Sequence, residues 1–115
     1  MANPMHDFTV QEILNKTYNY TSYTTETMAN IGTTLDSFDN LGLSSTNTAR
    51  EIILIDVTVG GSAAGDSGHI SLSINDGDTI TLKVANLPFT FDKFAIESVA
   101  VGAAAADDIQ VIAFF

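Results

Sequence analysis

His69-Ile70-Ser71-Leu72-Ser73-Ile74-Asn75-Asp76-Gly77-Asp78-Thr79-Ile80-Thr81-Leu82-Lys83-Val84 is two runs of alternating apolar and polar residues hinged on an Asn-Asp-Gly-Asp corner. Alternation at a period of two is the pattern of a half-buried strand, so the stretch predicts a β-hairpin. Paired residues share a sheet face. The apolar sets agree only if Ile74 lies opposite Ile80, Leu72 opposite Leu82 and Ile70 opposite Val84. That register requires an odd loop, Asp76-Gly77-Asp78, with Gly77 or Asp78 taking the positive φ angle.

On the N-terminal side, Glu51-Ile52-Ile53-Leu54-Ile55-Asp56-Val57-Thr58-Val59 is the strongest single strand. It begins apolar on both faces and ends alternating, which predicts a run from a covered centre to a wet edge. The small-residue loop Gly60–Gly68 separates it from the hairpin. On the C-terminal side, Asn86-Leu87-Pro88-Phe89 breaks the ladder, because proline donates no hydrogen bond and restricts the residue before it. Phe89, Phe91 and Phe94 read as an aromatic cluster closing one end of a core. Ala95–Val101 and Ile109–Phe115 read as a second antiparallel pair joined by the loop Gly102–Asp108. Phe114 and Phe115 face opposite ways on that last strand; one ring can enter the core, and the other suits a subunit contact.

Residues 1–50 differ in texture, being rich in Thr and Asn and weakly patterned. Thr9-Val10-Gln11-Glu12 matches a capping box ahead of Ile13 and Leu14. The run from Thr17 to Thr25 is instead β-prone, and it holds all three tyrosines, Tyr18, Tyr20 and Tyr23. Tyrosine there suits a half-buried strand or subunit contact better than a sugar-stacking platform. Beyond it, Leu35, Phe38, Leu41 and Leu43 can pin a loop onto a sheet, and the first three also fit one helical turn. The expected organisation is an N-terminal arm with one or two peripheral strands over 1–50 and a β-sandwich core over 51–115. The fold class is all-β: a small antiparallel β-sandwich or jelly-roll-like barrel.

The chain of 115 residues carries 14 acidic and 4 basic side chains, a net charge of −10. Such a balance disfavours nucleic acid and anionic membranes as partners. No apolar run reaches the roughly 20 residues that cross a bilayer. The first residues lack a cationic and apolar leader, so synthesis in a cytoplasm is expected. There are no cysteines. A patterned half this short would bury roughly 60% of its unfolded surface. Association is then the expected source of added stability.

Chemistry is hard to assemble. Asp66, Ser67 and His69 have the residue types of a nucleophilic triad, but they are nearly adjacent, whereas a triad draws its members from separate elements around a pocket. His6 sits alone near the start of the chain. Asp107 and Asp108 point to opposite sides of a strand, which suits a solvated hairpin loop and not an acid/base pair. Asn75, Asp76, Asp78 and Asp66 offer hard oxygens for calcium, yet Asn, Asp and Gly are also what a tight turn needs, and the turn is the better account. The glycines of the 60–68 loop have no lysine or helix behind them to cradle phosphate. The sequons at Asn15 and Asn19 read as chance. No enzyme activity, metal or cofactor is expected.

The Gly/Ala/Ser-rich loop 60–68, Asn86-Leu87-Pro88-Phe89-Thr90-Phe91-Asp92-Lys93-Phe94, Ala95-Ile96-Glu97-Ser98-Val99 and the finish Ala106–Phe115 together resemble the capsid decoration, or cement, proteins of tailed bacteriophages. The resemblance covers residues 51–115. It implies a non-enzymatic virion protein on the capsid exterior, made in the host cytoplasm. The implied form is a homo-oligomer, with a trimer favoured, that bridges subunits of the major capsid protein. On that reading Tyr18, Tyr20 and Tyr23 bind the capsid, and Phe114 and Phe115 hold subunits together. Deleting residues 1–30 should then abolish capsid binding and leave a folded oligomer. The rival reading is a glycan- or receptor-binding β module of a tail fibre.

Overall fold

A computed structural model describes residues 20–115. Eight strands follow in chain order: β1 (Tyr23–Ile31), β2 (Asp36–Ser37), β3 (Glu51–Asp56), β4 (His69–Ile74), β5 (Ile80–Lys83), β6 (Phe89–Phe91), β7 (Val99–Ala103) and β8 (Asp107–Phe114). Single 3-10 turns lie at Asp39–Leu41 and Val84–Asn86. The strands form two four-stranded antiparallel sheets, ordered β1-β8-β3-β6 and β2-β7-β4-β5. Alternate residues of both sheets meet in one core: Ile52, Leu54, Ile109, Val111 and Ala113 from the first, and Ile70, Leu72, Val99 and Val101 from the second. This is a β-sandwich. Among the described residues the sheets stay open and do not close into a barrel.

The hairpin forms with the expected faces but slipped by two residues. Ile70 pairs with Leu82 and Leu72 with Ile80, while Ile74 pairs with Val99 on the other flank of β4. The chain reverses at Asn75 and Asp76, with φ of 54° and 56°, and Gly77 N–H donates to the Ile74 carbonyl at 3.0 Å. Asparagine and aspartate tolerate this left-handed region because their short polar side chains bond locally. Asn75 also has a long-range reason to sit there. Its Nδ2 donates to the Ala95 carbonyl at 2.9 Å, and its Oδ1 accepts from the N–H groups of Glu97 (2.6 Å) and Ser98 (3.2 Å). The turn is therefore placed by the segment it holds. Asn75→Ala should lower stability by about 2–3 kcal/mol through those bonds and the positive φ. Asn75→Gly, which relieves only the backbone term, should recover part of the loss; urea midpoints measure both.

Two further expectations are corrected. The last two strands are not a hairpin: β7 lies between β2 and β4, and β8 lies in the opposite sheet between β1 and β3. β8 buries alternate residues, and β7 does so up to Val101 before Gly102 is covered as well, so their patterns fit strands of two sheets as well as a pair, and Ala104–Ala106 carries the chain from one sheet to the other. Nor does the core begin at residue 51. The peripheral strands expected within 1–50 are β1 and β2, one at an edge of each sheet, but Ile31, Phe38, Leu41 and Ala49 from the same segment are core residues. The start of this segment is tied down by Thr21 N–H donating to the Phe115 carbonyl at 2.7 Å and Phe115 N–H to the Ser22 carbonyl at 2.9 Å. Phe38 and Leu41 plug the core from the expected single turn, now seen as the 3-10 turn Asp39–Leu41, while Leu35 stays exposed. Glu26 fixes that turn by accepting from Asn40 N–H at 2.8 Å. The link from β1 to β2 crosses close over β7, where a Cβ on Gly102 would lie 3.0 Å from the Thr33 carbonyl oxygen.

β3 is central, as its apolar start requires, and ends at Asp56, where the chain becomes wet; Val59 is 96% exposed. Phe89 and Phe91 pack partly against the core, and Phe94, 52% exposed, meets Phe91 edge-on at 4.8 Å. The capping box at Thr9–Glu12, His6, the sequons and Tyr18 lie outside the described residues.

Candidate interaction surface

The first sheet has a second apolar face. Because Ile52, Leu54, Val111 and Ala113 point into the core, their neighbours Ile53, Ile55, Ile112 and Phe114 point out. Cross-strand pairing gathers them. Ile53 lies opposite Ile112, and Ile112 opposite Thr25 on its other side. Phe114 lies between Glu51 and Tyr23. An antiparallel sheet with one solvated face ordinarily shows polar residues there. Here three central isoleucines and an aromatic occupy it, each half-buried.

The aromatic end of this face is built by the β1–β8 register. Phe114 has Tyr20 at 5.9 Å and Tyr23 at 6.3 Å between ring centroids, both tilted. Tyr23 is 68% exposed, so its ring and hydroxyl are offered to solvent. The opposite end is polar: Gln110 Nε2 donates to Thr27 Oγ1 at 3.1 Å, and Asp108 Oδ1 accepts from Asn30 N–H at 3.0 Å. The face thus grades from aromatic through aliphatic to polar across three strands. Along one side runs β1, an edge strand among the described residues, whose nine residues carry a single charge, Glu26.

Tyr20, Tyr23 and Phe114 therefore form one patch, although the resemblance to decoration proteins implied separate roles for the tyrosines and the phenylalanine. Phe115 packs against the core instead. The other candidates are scattered. Asp66, Ser67 and His69 are all exposed, and no side-chain hydrogen bond joins them. Asn75 is committed to residues 95–98, and among the described residues no three His, Cys, Asp or Glu side chains gather as a metal group. No helix among the described residues is long and apolar enough to cross a membrane.

Asp107 corrects the reading of the Asp107-Asp108 pair as a solvated loop. Asp108 faces out, but Asp107 is wholly buried. Its Oδ1 accepts from Ser62 Oγ at 3.1 Å and from the Ala63 N–H, with Thr58 Oγ1 at 3.4 Å. Parity held the signal: Asp107 shares its face with Ile109, Val111 and Ala113, and that face is the core.

Comparison with known proteins finds no matching family model, no matching curated protein and no matching solved structure. The class defined by the fold and surface is a β-sandwich with an apolar patch on the outside of one sheet.

Proposed function

We propose that this chain is a non-enzymatic structural protein of a tailed-bacteriophage virion, one that binds the capsid exterior as a small oligomer and bridges subunits of the major capsid protein. The observation that carries the reading is the apolar outer face of the first sheet, with Tyr20, Tyr23 and Phe114 at one end. Exposed apolar patches rimmed by polar groups mark protein contacts. Aromatic side chains are enriched at the energetic centres of such contacts. The resemblance of residues 51–115 to decoration proteins supplies the identity of the partner. A ring of three copies, each adding a modest contact, engages neighbouring capsid subunits at high effective concentration.

The test is co-sedimentation of the full chain with expanded capsids lacking it, alongside its mass in solution by light scattering. The expected outcome is saturable pelleting at a fixed ratio to capsid protein and a mass of about three chains. A monomer that stays in the supernatant overturns the proposal. Because β1 is part of the sandwich, the informative truncation removes residues 1–19, not 1–30; the longer deletion also strips most of an edge strand. The exposure of Tyr23 favours one rival, a glycan- or receptor-binding module. A glycan-array signal lost in Tyr23→Ala would select it.

A further inference from the structure

We propose that Asp56 and Asp107 together bind one hard divalent cation, calcium, at the end of the first sheet where the chain leaves β3. Both side chains rise from the core-facing side of that sheet. Asp56 continues the inward set Ile52 and Leu54, and Asp107 precedes the inward set Ile109, Val111 and Ala113. The ladder runs one step past β3, since Val57 N–H donates to the Asp108 carbonyl at 2.8 Å. Thr58 therefore lies across from Asp107, and Asp56 and Asp107 are diagonal neighbours on one face. The Thr58 hydroxyl joins them, at 2.5 Å from Asp56 Oδ1 and 3.4 Å from Asp107 Oδ1.

The two carboxylates are satisfied on one oxygen only. Asp56 Oδ1 takes the Thr58 N–H and hydroxyl, and Asp107 Oδ1 takes Ser62 and Ala63. Oδ2 of each is buried and has no hydrogen-bond partner. Unpaired carboxylate oxygens withdrawn from water are strongly unfavourable, and two like charges on one face add repulsion. A cation held by both Oδ2 atoms removes both costs at once. The donors on Oδ1 act as an outer layer that fixes how each carboxylate is presented.

Room and access lie on the Asp56 side. A cavity of about 300 Å³ is lined by Asp56, Gly61 and Ser62 together with Ile55, Val84, Leu87 and Pro88. Ser62 both lines that cavity and donates to Asp107 Oδ1 at 3.1 Å, which puts the buried carboxylate one hydrogen bond from the cavity wall. Calcium needs six to eight oxygens, and water entering through the cavity fills the positions that the carboxylates leave. The donors are all oxygen, which disfavours zinc, and they stand beside a loop of small residues that can adjust, which suits calcium better than the strict octahedron of magnesium.

The test uses the full chain stripped with EGTA and then titrated with CaCl2. Isothermal titration should return one site per chain, and saturating calcium should raise the Tm by about 4 °C or more, with a smaller response to MgCl2. Asp56→Asn should abolish both signals while the far-UV spectrum is retained; if that variant fails to fold, the wild-type stoichiometry decides alone. Absence of binding in the wild type overturns the proposal, as does a rise of equal size in Asp56→Asn, which would assign the effect to screening of the net charge.

Discussion

Asp107→Ala is expected to lose about 2–4 kcal/mol of folding stability, measured in EGTA so that no cation contributes. Hydrogen bonds to a charged acceptor are worth about 1.5–3 kcal/mol each, and the substitution orphans the Ala63 N–H and the Ser62 hydroxyl at the wall of the sandwich. Relief of a desolvated, half-satisfied carboxylate returns part of that loss, which is why the sum of the bonds overstates the effect. For a domain whose total stability is about 5–15 kcal/mol, the change is severe. It corresponds to a Tm lower by roughly 10–25 °C. Asp107→Asn keeps an acceptor oxygen in place and should cost less, about 1–2 kcal/mol. The order Ala below Asn below wild type, read from urea midpoints at constant m, distinguishes an anchor for the 58–63 loop from a space-filling residue. A fully stable Asp107→Leu variant would show that the position needs only volume.

Asp107 also shows where sequence reading stops. Its place inside follows from parity with Ile109, Val111 and Ala113, but an acidic residue beside a run of alanines reads as loop chemistry, and residue type overruled period. The alternation in β3, β4, β7 and β8 was legible because each of these strands buries one full face. Which strands pair was not. Period two says that a strand has an inside and gives no address for its neighbours, so β7 and β8 fit a hairpin on pattern and turned out to lie in opposite sheets. The two-residue slip in the β4–β5 hairpin has a similar origin: Asn75 is held by residues 95–98, twenty positions away, and no local turn rule contains that contact. β1 was the hardest element. Its outward residues Tyr23, Thr25 and Thr27 and its inward residues Thr24, Glu26 and Met28 differ little in polarity, so there is almost no alternation to detect. It folds as a strand because β8 offers it a ladder, continuous from Tyr23 to Met28 and resumed at Ile31. The chemistry of Tyr20, Tyr23 and Phe114 was legible one residue at a time, whereas their union into a patch depends on the β1–β8 register.

That union makes the second large prediction. Ile112→Asp should reduce capsid binding by about 30-fold or more and leave the sandwich folded. Ile112 lies at the middle of the outer face, between Thr25 and Ile53, with its core-facing neighbours Val111 and Ala113 untouched. A carboxylate at this half-buried position keeps part of its hydration in the free protein, whereas in a closed interface it must be stripped of water among isoleucines. A loss of 2 kcal/mol, the threshold of a binding hot spot, is already about 30-fold in affinity. Tyr23→Ala should act in the same direction for a different reason, by deleting exposed aromatic contact area. With the ring 68% exposed in the free chain, its removal should change folding stability by no more than about 0.5 kcal/mol. Phe114→Ala should affect both properties, because that ring is packed by Tyr20 and Tyr23 within the subunit as well as facing outward. Pelleting with capsids, paired with urea midpoints for each variant, separates these terms. If Ile112→Asp pellets as the wild type does, the outer face of the first sheet is not the contact. The outer edge of β1, an edge strand among the described residues, would then be the next surface to probe, because an edge strand can recruit a strand from a partner.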